Sequence, residues 1–431
     1  MWEMYFVFYS LGADGSRVMD TLINKVLGDT VDIQAGVRRV TSPRPLNISN
    51  PEELKQLIES INLQQLVRNG ERLGLDLDSE SVVIVIQVHQ RIEELRFLIE
   101  SLERARYINK CLVIFSHDMY SKDINTIIND IQAFPVLQIF YPYSIQIYPS
   151  SFPGQHPNDC PWNITLMAAR KRKCNNAYNP DSYGHYREAK VAQMKHHWLW
   201  QLHYVIEEIR ILKNFKGTFL RLDEDYYVAE DVIYMIQEMN KIRRSEPGKH
   251  NMMILGDYDE IPTWSYEGMS NIIRQQKWYV GVGRGMAFSK DFWQDFRSCS
   301  QVFCTYDDYN WDWALQETVL KCMTGSLNIL QPSAGRVFHI GLCHGFHRNV
   351  EGCSSKNIKR EVTDLLIENE EYLFPKEVSL THNQDADFEP GHAFANGGWK
   401  DPRDHRLCKS FLGRKGLTEQ TIRSINKGIR A

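Results

Sequence analysis

The chain of 431 residues is long enough for one large α/β catalytic domain with additions and too long for a single small core. Apolar residues make up 43% of it and charged residues 24%, which is typical of a folded globular protein rather than a disordered one. The formal net charge is −4 and no long basic run occurs, which argues against a nucleic-acid-binding surface.

Residues 1–50 lack clear periodicity and end in a proline-containing stretch, which is typical of a stem or linker. Residues 1–12 are apolar but carry Glu3, are too short to span a bilayer, and lack the basic opening of a signal peptide. They are consistent with the remnant of a truncated membrane anchor or with an aberrant start. Residues 51–80 are predicted to form a helical lead-in, because apolar residues recur there at helical spacing.

From Ser81 onward, strands and helices alternate. Continuous apolar runs at 82–86, 112–115 and 136–140 predict strands that are covered on both faces, with helices between them. This order predicts an α/β fold with a Rossmann-like, mostly parallel sheet and right-handed crossovers. No glycine fingerprint follows the first strand, which disfavours a dinucleotide cofactor and hence an NAD-dependent dehydrogenase.

The later elements continue this domain to residue 412, and residues 413–431 are assigned to a tail. Segment 151–180 is predicted to be a loop, and the last hundred residues are predicted to be irregular apart from one late strand. The remaining predictions are helices over 186–215, 229–243 and in the later part of 306–324, and strands at 218–220, 252–255, 278–282 and 337–341.

Three consecutive acids, Asp223, Glu224 and Asp225, follow the strand predicted at 218–220. They are therefore expected at the carboxyl edge of the sheet, where ligands bind in open α/β folds. Three adjacent like charges repel one another and are best placed around a hard cation, which can hold a departing diphosphate. The alternative is a solvated acidic turn.

Other polar side chains are predicted at the same edge. Gln87, His89 and Arg91 follow the first strand, and Asp118 follows the second, where such groups can contact a nucleotide base or ribose. The alternatives are an ordinary polar loop for the first three and a helix cap for Asp118.

Two further residues are candidates for metal binding and catalysis. His339 ends the late strand and is a candidate metal ligand beside Asp225, since Mn²⁺ accepts imidazole as well as carboxylate. Asp312 lies between Trp311 and Trp313, whose indoles would raise the carboxyl pKa toward that of a useful general base. The alternatives are a structural histidine and an aspartate at a helix N-terminus.

The nine cysteines include no CxxC pair, so a zinc ribbon is not expected. Eight of the nine lie after residue 150, which favours disulfides and an oxidising compartment, while Cys111 in an apolar run is predicted to be buried and unpaired. Sequons at Asn47 and Asn163 favour the same compartment. The alternative is nine reduced cysteines in a cytosolic enzyme.

Together these features predict a nucleotide-sugar transferase. A metal would hold the diphosphate, and one carboxylate would deprotonate an acceptor hydroxyl that attacks the anomeric carbon. A single displacement of this kind inverts the anomeric configuration and needs no carboxylate nucleophile.

The chain also resembles the N-acetylglucosaminyltransferase II family of the Golgi N-glycan pathway over residues 80–411. The longest matching segments are FCTYDDYNWDW at 303–313 and NGGWKDPRDHRLCKS at 396–410, with shorter ones at 85–89, 112–118, 180–190, 195–198, 222–227 and 337–341.

The resemblance implies a GT-A fold, a UDP-GlcNAc donor, Mn²⁺ and β1,2 transfer to the α1,6-arm mannose of an N-glycan that already carries GlcNAc on the α1,3 arm. It also implies a Golgi membrane protein of type II topology with a lumenal catalytic domain, and it is compatible with a homodimer. Asp312 would be the base, and Asp225 and His339 the metal ligands. The implied donor-site residues are Gln87, Val88, His89, Gln90, Arg91, Asp118, Gln193, Met194, Lys195, His196, His197, Asp223 and Glu224.

The resemblance further implies the disulfides Cys160–Cys174, Cys299–Cys322, Cys304–Cys408 and Cys343–Cys353. The chain departs from the family in three places. The acidic triple begins with Asp rather than Glu, a close-set cysteine pair and an arginine are missing near 257–264, and segment 283–286 differs.

Two other functions compete with this prediction. The departures motivate a glycan-binding or scaffold protein on a decayed transferase fold, which would bind glycan without metal and without turnover. The third hypothesis is a transferase of the same fold that uses another donor or acceptor, which a panel of sugar nucleotides would distinguish.

Overall fold

The computed structural model describes residues 47–256, 268–323, 326–345, 348–349, 353–382 and 395–413. Most of the predicted stem, the predicted tail and the departure near 257–264 lie outside the described residues. Among the described helices, none combines the length and the apolar character needed to cross a membrane.

A ten-stranded sheet, ordered β1-β4-β3-β2-β5-β9-β7-β10-β8-β14, forms the centre of the described part of the chain. Strands β11 and β6 form a small second sheet, and β12 and β13 a third. The strands are β1 Val67–Arg68, β2 Val82–Val88, β3 Leu112–His117, β4 Val136–Phe140, β5 Thr218–Asp223, β6 Tyr226–Val228, β7 Met252–Ile254, β8 Ile272–Lys277, β9 Met286–Phe288, β10 Asn328–Pro332, β11 Val337–His339, β12 His344–Gly345, β13 Arg348–Asn349 and β14 Ser379–His382.

Helices cover both faces of the large sheet. They are α1 Pro51–Gln64, α2 Gly70–Leu73, α3 Ile92–Arg104, α4 Lys122–Asn129, α5 Leu166–Arg172, α6 Ala189–His203, α7 Val232–Ser245, α8 Lys290–Thr305, α9 Trp311–Lys321, α10 Ser355–Glu368 and α11 Pro402–Phe411.

Strands β2 to β5 run parallel to one another. Alternate residues of β2 point to opposite faces: Val83 and Val85 join one buried cluster, whereas Val82, Ile84 and Ile86 join another. The predicted α/β fold with strands buried on both faces is therefore confirmed. Strand β9 is antiparallel to β5 and β7, so the sheet is mostly but not wholly parallel.

The register of the parallel strands brings polar residues together at the carboxyl edge. Gln87 near the end of β2 is paired with Asp223 of β5 on one side and with Ser116 of β3 on the other. The apolar runs that predicted β2, β3 and β5 thus also determine which polar side chains share the edge.

Several element predictions need correction. The strand predicted at 278–282 is wrong: β8 ends at Lys277, and the amide of Val282 donates to the carbonyl of Tyr279 in a turn. The helix predicted over 186–215 is shorter, because α6 ends at His203 and a π-helical turn follows. Helix α5 lies in the predicted loop.

The last hundred residues are more regular than predicted, since they contain α10 and α11. The start of α11 has a recognisable signal. The side chain of Asp401 accepts a hydrogen bond from the amide of Arg403, and Pro402 occupies the first turn, where its missing N–H costs nothing.

Asn62 of α1 extends the hydrogen bonding of the sheet beyond the short edge strand β1. Its amide nitrogen donates to the carbonyl of Phe140 at 2.7 Å, and its carbonyl oxygen accepts from the amide of Phe140 at 2.8 Å. The side chain therefore substitutes for one residue of a neighbouring strand.

We expect Asn62→Ala to lower the free energy of unfolding by about 3 kcal/mol, because it leaves a buried N–H and a buried carbonyl of Phe140 without partners. Denaturant unfolding measures the change. Gln64→Ala is the matched control, since the Gln64 side chain donates only to Ser60 of the same helix. An equal effect of the two substitutions would contradict the assigned role of Asn62.

Candidate active site

A buried polar cluster lies where β2 and β5 end. The side-chain oxygen of Gln87 accepts hydrogen bonds from Gln201 of α6 at 2.6 Å and from Arg221 of β5 at 3.0 Å. Arg221 also forms a two-armed ion pair with Asp223, at 2.5 and 3.0 Å. The first acid of the triple is therefore directed by an arginine that the sequence analysis did not identify.

Glu224, the second acid, holds the loop that follows β2. Its carboxylate accepts from the amides of His89 at 2.8 Å, Gln90 at 3.1 Å and Arg91 at 3.1 Å. Burial raises the pKa of Glu224 to about 7, although the hydrogen bonds from these amides oppose the rise. Glu224 thus shapes the loop through its backbone.

We expect Glu224→Gln to raise the KM for donor by about tenfold or more, because the carboxamide has one acceptor oxygen where the carboxylate has two. Amide hydrogen exchange over 88–91 should become faster at the same time. Glu93→Gln, in the first turn of the helix that follows this loop, is a suitable control. A raised KM with unchanged exchange would show that Glu224 acts on the donor directly.

Asp225, the third acid, contacts His339 and Arg91. The Nε2 atom of His339 lies 3.0 Å from Oδ2 of Asp225, and the guanidinium of Arg91 binds the same oxygen. Burial alone would raise the pKa of Asp225, but its contacts with His339 and Arg91 bring it down to about 2, so the carboxylate stays ionised.

The Asp225–His339 pair fits a divalent cation of the Mn²⁺ type, because it offers one carboxylate oxygen and one imidazole nitrogen. Gly341 permits the close approach of Asp225 and Arg91, since a Cβ there would lie 2.3 Å from Oδ2 of Asp225 and 2.2 Å from the Arg91 guanidinium. No group of three or more potential metal-binding side chains occurs within the described residues. A cation held by Asp225 and His339 would take its remaining ligands from phosphate and water.

Asp118 lies at the end of β3 and is held by two side chains. It accepts from Nδ1 of His89 at 2.7 Å and from the amide of Gln193 at 3.0 Å. Although burial works against charge on both groups, the contact lowers the pKa of Asp118 and raises that of His89. His89 is itself about half exposed, so it presents a polar edge outside this pair.

Two further residues of segment 88–91, Val88 and Gln90, make different contacts. Val88 is fully buried, and its carbonyl accepts from the amide of Asp118 at 3.2 Å, so only its backbone faces this edge. The exposed side chain of Gln90 lies 3.1 Å from the sulfur of Met119.

One face of α6 supports the cluster. Gln193, His197 and Gln201 recur every four residues and contact Asp118, Ser116 and Gln87, in that order. Burial lowers the pKa of His197 to about 4, so this imidazole is neutral. Met194, between these positions, is half-buried.

The structure does not bring Lys195 and His196 to this edge. The ammonium of Lys195 donates to the carbonyl of Asp308 at 2.7 Å and lies 4.3 Å from the ring centroid of Trp399. His196 instead contacts Asp404 of α11 at 2.9 Å. Five adjacent residues of a helix cannot all lie on one face. For this reason Gln193 and His197 reach the carboxyl edge, whereas Lys195 and His196 do not.

Asp312 occupies the first turn of α9. Its Oδ1 accepts from the amide of Trp313 at 2.8 Å, and burial raises its pKa, whereas that hydrogen bond and the positive charge of Arg221 lower it. The ring of Trp311 stacks on Trp198 of α6 at 4.8 Å and 8°. A half-buried carboxylate with a raised pKa suits a general base.

Disulfides hold the elements around this site. Cys299–Cys322 links α8 to the end of α9, and Cys304–Cys408 links α8 to α11. Cys343–Cys353 lies just after His339 in the chain. With Cys160–Cys174, these are the four pairs that the resemblance implied. Cys111 is buried and free, as predicted.

Sequence reasoning missed Arg221 and Gln201. Arg221 shares a strand face with Asp223 at a spacing of two, and Gln201 shares a helix face with Gln193 at a spacing of eight. Both spacings were visible in the sequence, but only the neighbouring strand and helix reveal that their partner is Gln87.

Comparison with known proteins also indicates a sugar transferase. A family model described as N-acetylglucosaminyltransferase II (MGAT2) matches residues 55–408. The alpha-1,6-mannosyl-glycoprotein 2-beta-N-acetylglucosaminyltransferase of Rattus norvegicus is 40% identical over 388 residues, which cover 87% of this chain and 86% of that protein. The Arabidopsis thaliana enzyme of the same name is 31% identical over 343 residues, or 78% of this chain and 76% of its own.

The likeness to solved structures is much weaker. Staphylococcus aureus TarS covers 67% of this chain and 43% of its own at 8% identity and a TM-score of 0.32. An active-site mutant of LgtC covers 66% of this chain and 95% of its own at 11% identity and a TM-score of 0.33. Likenesses this distant do not identify a function.

The sheet, its polar carboxyl edge and the family match define a glycosyltransferase. The chain belongs to the N-acetylglucosaminyltransferase II family.

Proposed function

We propose that this protein transfers N-acetylglucosamine from UDP-GlcNAc to the α1,6-arm mannose of an N-glycan, in β1,2 linkage and with inversion. The observation that carries the proposal is the Asp225–His339 pair at the carboxyl edge of β5, in a chain whose family match spans 55–408. The names of the relatives supply the sugar, the linkage and the acceptor arm.

In this proposal, Asp225 and His339 hold Mn²⁺. The bound ion would neutralise charge on the departing diphosphate. The loop 88–91, held by Glu224, and the Asp118–His89 pair border the position of the uridine, and Gln193 fixes Asp118 there. Asp223 faces the same edge beside them, and its ion pair with Arg221 fixes its orientation.

Asp312 would act as the base. Its carboxylate takes the proton of the attacking mannose hydroxyl as the new bond to the anomeric carbon forms and the bond to UDP breaks. A single in-line displacement needs one carboxylate as base and no carboxylate nucleophile, and Asp312 in the first turn of α9 is the proposed base.

The four disulfides support an oxidising compartment, and the family supports the Golgi lumen. We propose that the catalytic domain works there on glycoproteins.

The test is transfer from UDP-GlcNAc to a biantennary N-glycan core with one GlcNAc on its α1,3 arm. We expect one added N-acetylhexosamine, no product with EDTA and recovery when excess Mn²⁺ is added back. UDP binding without transfer would contradict the proposal and favour the glycan-binding alternative. Transfer from another sugar nucleotide, or to another acceptor, would favour the third hypothesis.

A further inference from the structure

Arg221 is a buried cation that the proposed mechanism uses only to orient Asp223. Its side chain is about 2% exposed, and its Nε has no hydrogen-bond partner among the described residues. Burying a guanidinium is costly unless its contacts compensate for the lost hydration. The ion pair with Asp223 and the hydrogen bond to Gln87 compensate for lost hydration at one edge of the guanidinium. The groups that contact the rest of the guanidinium therefore also bear on its stability.

A stack of side chains connects this guanidinium to the helix that bears the base. The central carbon of Arg221 lies 5.0 Å from the ring centroid of Trp311, a distance at which a cation is attracted to an indole. Trp311 in turn stacks on Trp198. Trp311 is thus fixed between β5 and α6, and the next residue along the chain is Asp312.

The same arrangement places charges around Asp312. Burial raises the pKa of Asp312, the positive charge of Arg221 lowers it, and the negative charge of Asp223 raises it. The other described titratable groups that interact with Asp312 are Asp308 and Tyr309, which precede it in the loop.

We propose that Arg221 is a positioning residue for catalysis, which holds Trp311 and the first turn of α9 against the donor edge and so fixes the carboxylate of Asp312. The inference rests on the proposed role of Asp312 as the base. It gives Arg221 two effects: a geometric one through Trp311 and an electrostatic one on Asp312.

The experiment measures kcat/KM against pH and amide hydrogen exchange over 309–316 in the full chain. The variants are Arg221→Met, Asp223→Asn and the double substitution. Asp312 must be ionised to accept a proton, so removing the positive charge should move the acidic limb up by about one pH unit. Asp223→Asn should move the limb down, and the double variant should return it close to that of the unmodified protein.

Exchange over 309–316 should become faster in Arg221→Met. The matched control is Arg403→Met: Arg403 is also buried, pairs with an aspartate two residues away, Asp401, and lies 5.1 Å from the ring centroid of Phe152. It should lower stability without moving the pH limb or the exchange over 309–316.

The outcomes separate the two proposals. If the unmodified protein transfers no sugar, the proposed function fails. If the unmodified protein is active and Asp312→Asn is equally active, only the role of Asp312 as the base fails. In both cases, amide exchange in Arg221→Met still tests whether Arg221 holds the first turn of α9 in place. Transfer that requires Asp312, together with an unmoved limb and unchanged exchange in Arg221→Met, would overturn the inference. If Arg221→Met does not fold, an unmoved limb in Asp223→Asn would overturn it equally.

Discussion

Replacing Asp312 with asparagine should lower kcat for sugar transfer by about 10²- to 10⁴-fold and leave UDP-GlcNAc binding nearly unchanged. Asparagine keeps the size of the side chain and its contact with the Trp313 amide, but it cannot accept a proton from the mannose hydroxyl. Initial rates and calorimetric binding of the donor separate the two effects.

The matched control is Asp308→Asn in the same loop. Burial raises the pKa of Asp308 to about 6, so that its pKa alone would make it a competing candidate for the base. Its carboxylate oxygens, however, accept hydrogen bonds from the amides of Asn310 and Asn396, which indicates a structural role. We expect Asp308→Asn to lower the free energy of unfolding and to change kcat much less than Asp312→Asn does. The reverse pattern, with Asp312→Asn active, would assign the base to Asp308.

Removing the Cys304–Cys408 disulfide by double substitution to alanine should lower the free energy of unfolding by roughly 4 kcal/mol, because it opens a large loop. The two cysteines are 104 positions apart, and both are fully buried. Equilibrium unfolding in urea under non-reducing conditions measures the loss.

The loss should also reduce activity. Cys408 anchors α11, and Asp404 of that helix binds both His196 of α6 and Arg187, so α11 supports α6 on a different face from the one that contacts the donor edge. The matched control is the Cys160–Cys174 pair, which closes a loop of 14 positions and should contribute roughly 3 kcal/mol. A larger effect from that shorter loop would contradict the loop-length argument.

The central strands were predictable because each is a short, continuous apolar run, and such runs form strands when both faces are covered. Knowing that β2, β3 and β5 are parallel was then enough to predict that Gln87, Asp118 and Asp223 share one edge. This part of the site follows from strand order and needs no knowledge of side-chain contacts.

The rest depends on contacts between distant segments. Gln201 and Arg221 lie 114 and 134 positions from their partner Gln87, and no local pattern marks either pairing. Lys195 lies away from this edge for a related reason. A motif indicates that a segment matters, but the helical period decides which of its residues face the site.

The strand prediction at 278–282 is wrong because its apolar residues are buried in a turn rather than in extended backbone. Trp278 and Val282 are indeed buried, yet the chain turns between them, next to Gly281 and Gly283. Apolar residues in a turn can fill a core as well as those of a strand, and periodicity over five residues does not distinguish the two cases.

The buried free cysteine gives this molecule an internal reporter. Cys111 lies at the start of β3, burial raises the pKa of its thiol to about 12, and its disulfide-bonded neighbours in the chain do not compete for thiol reagents. An alkylating reagent therefore reacts only when the central sheet opens. The rate of labelling at this single position would follow sheet opening in every variant discussed above, in native buffer and without added denaturant.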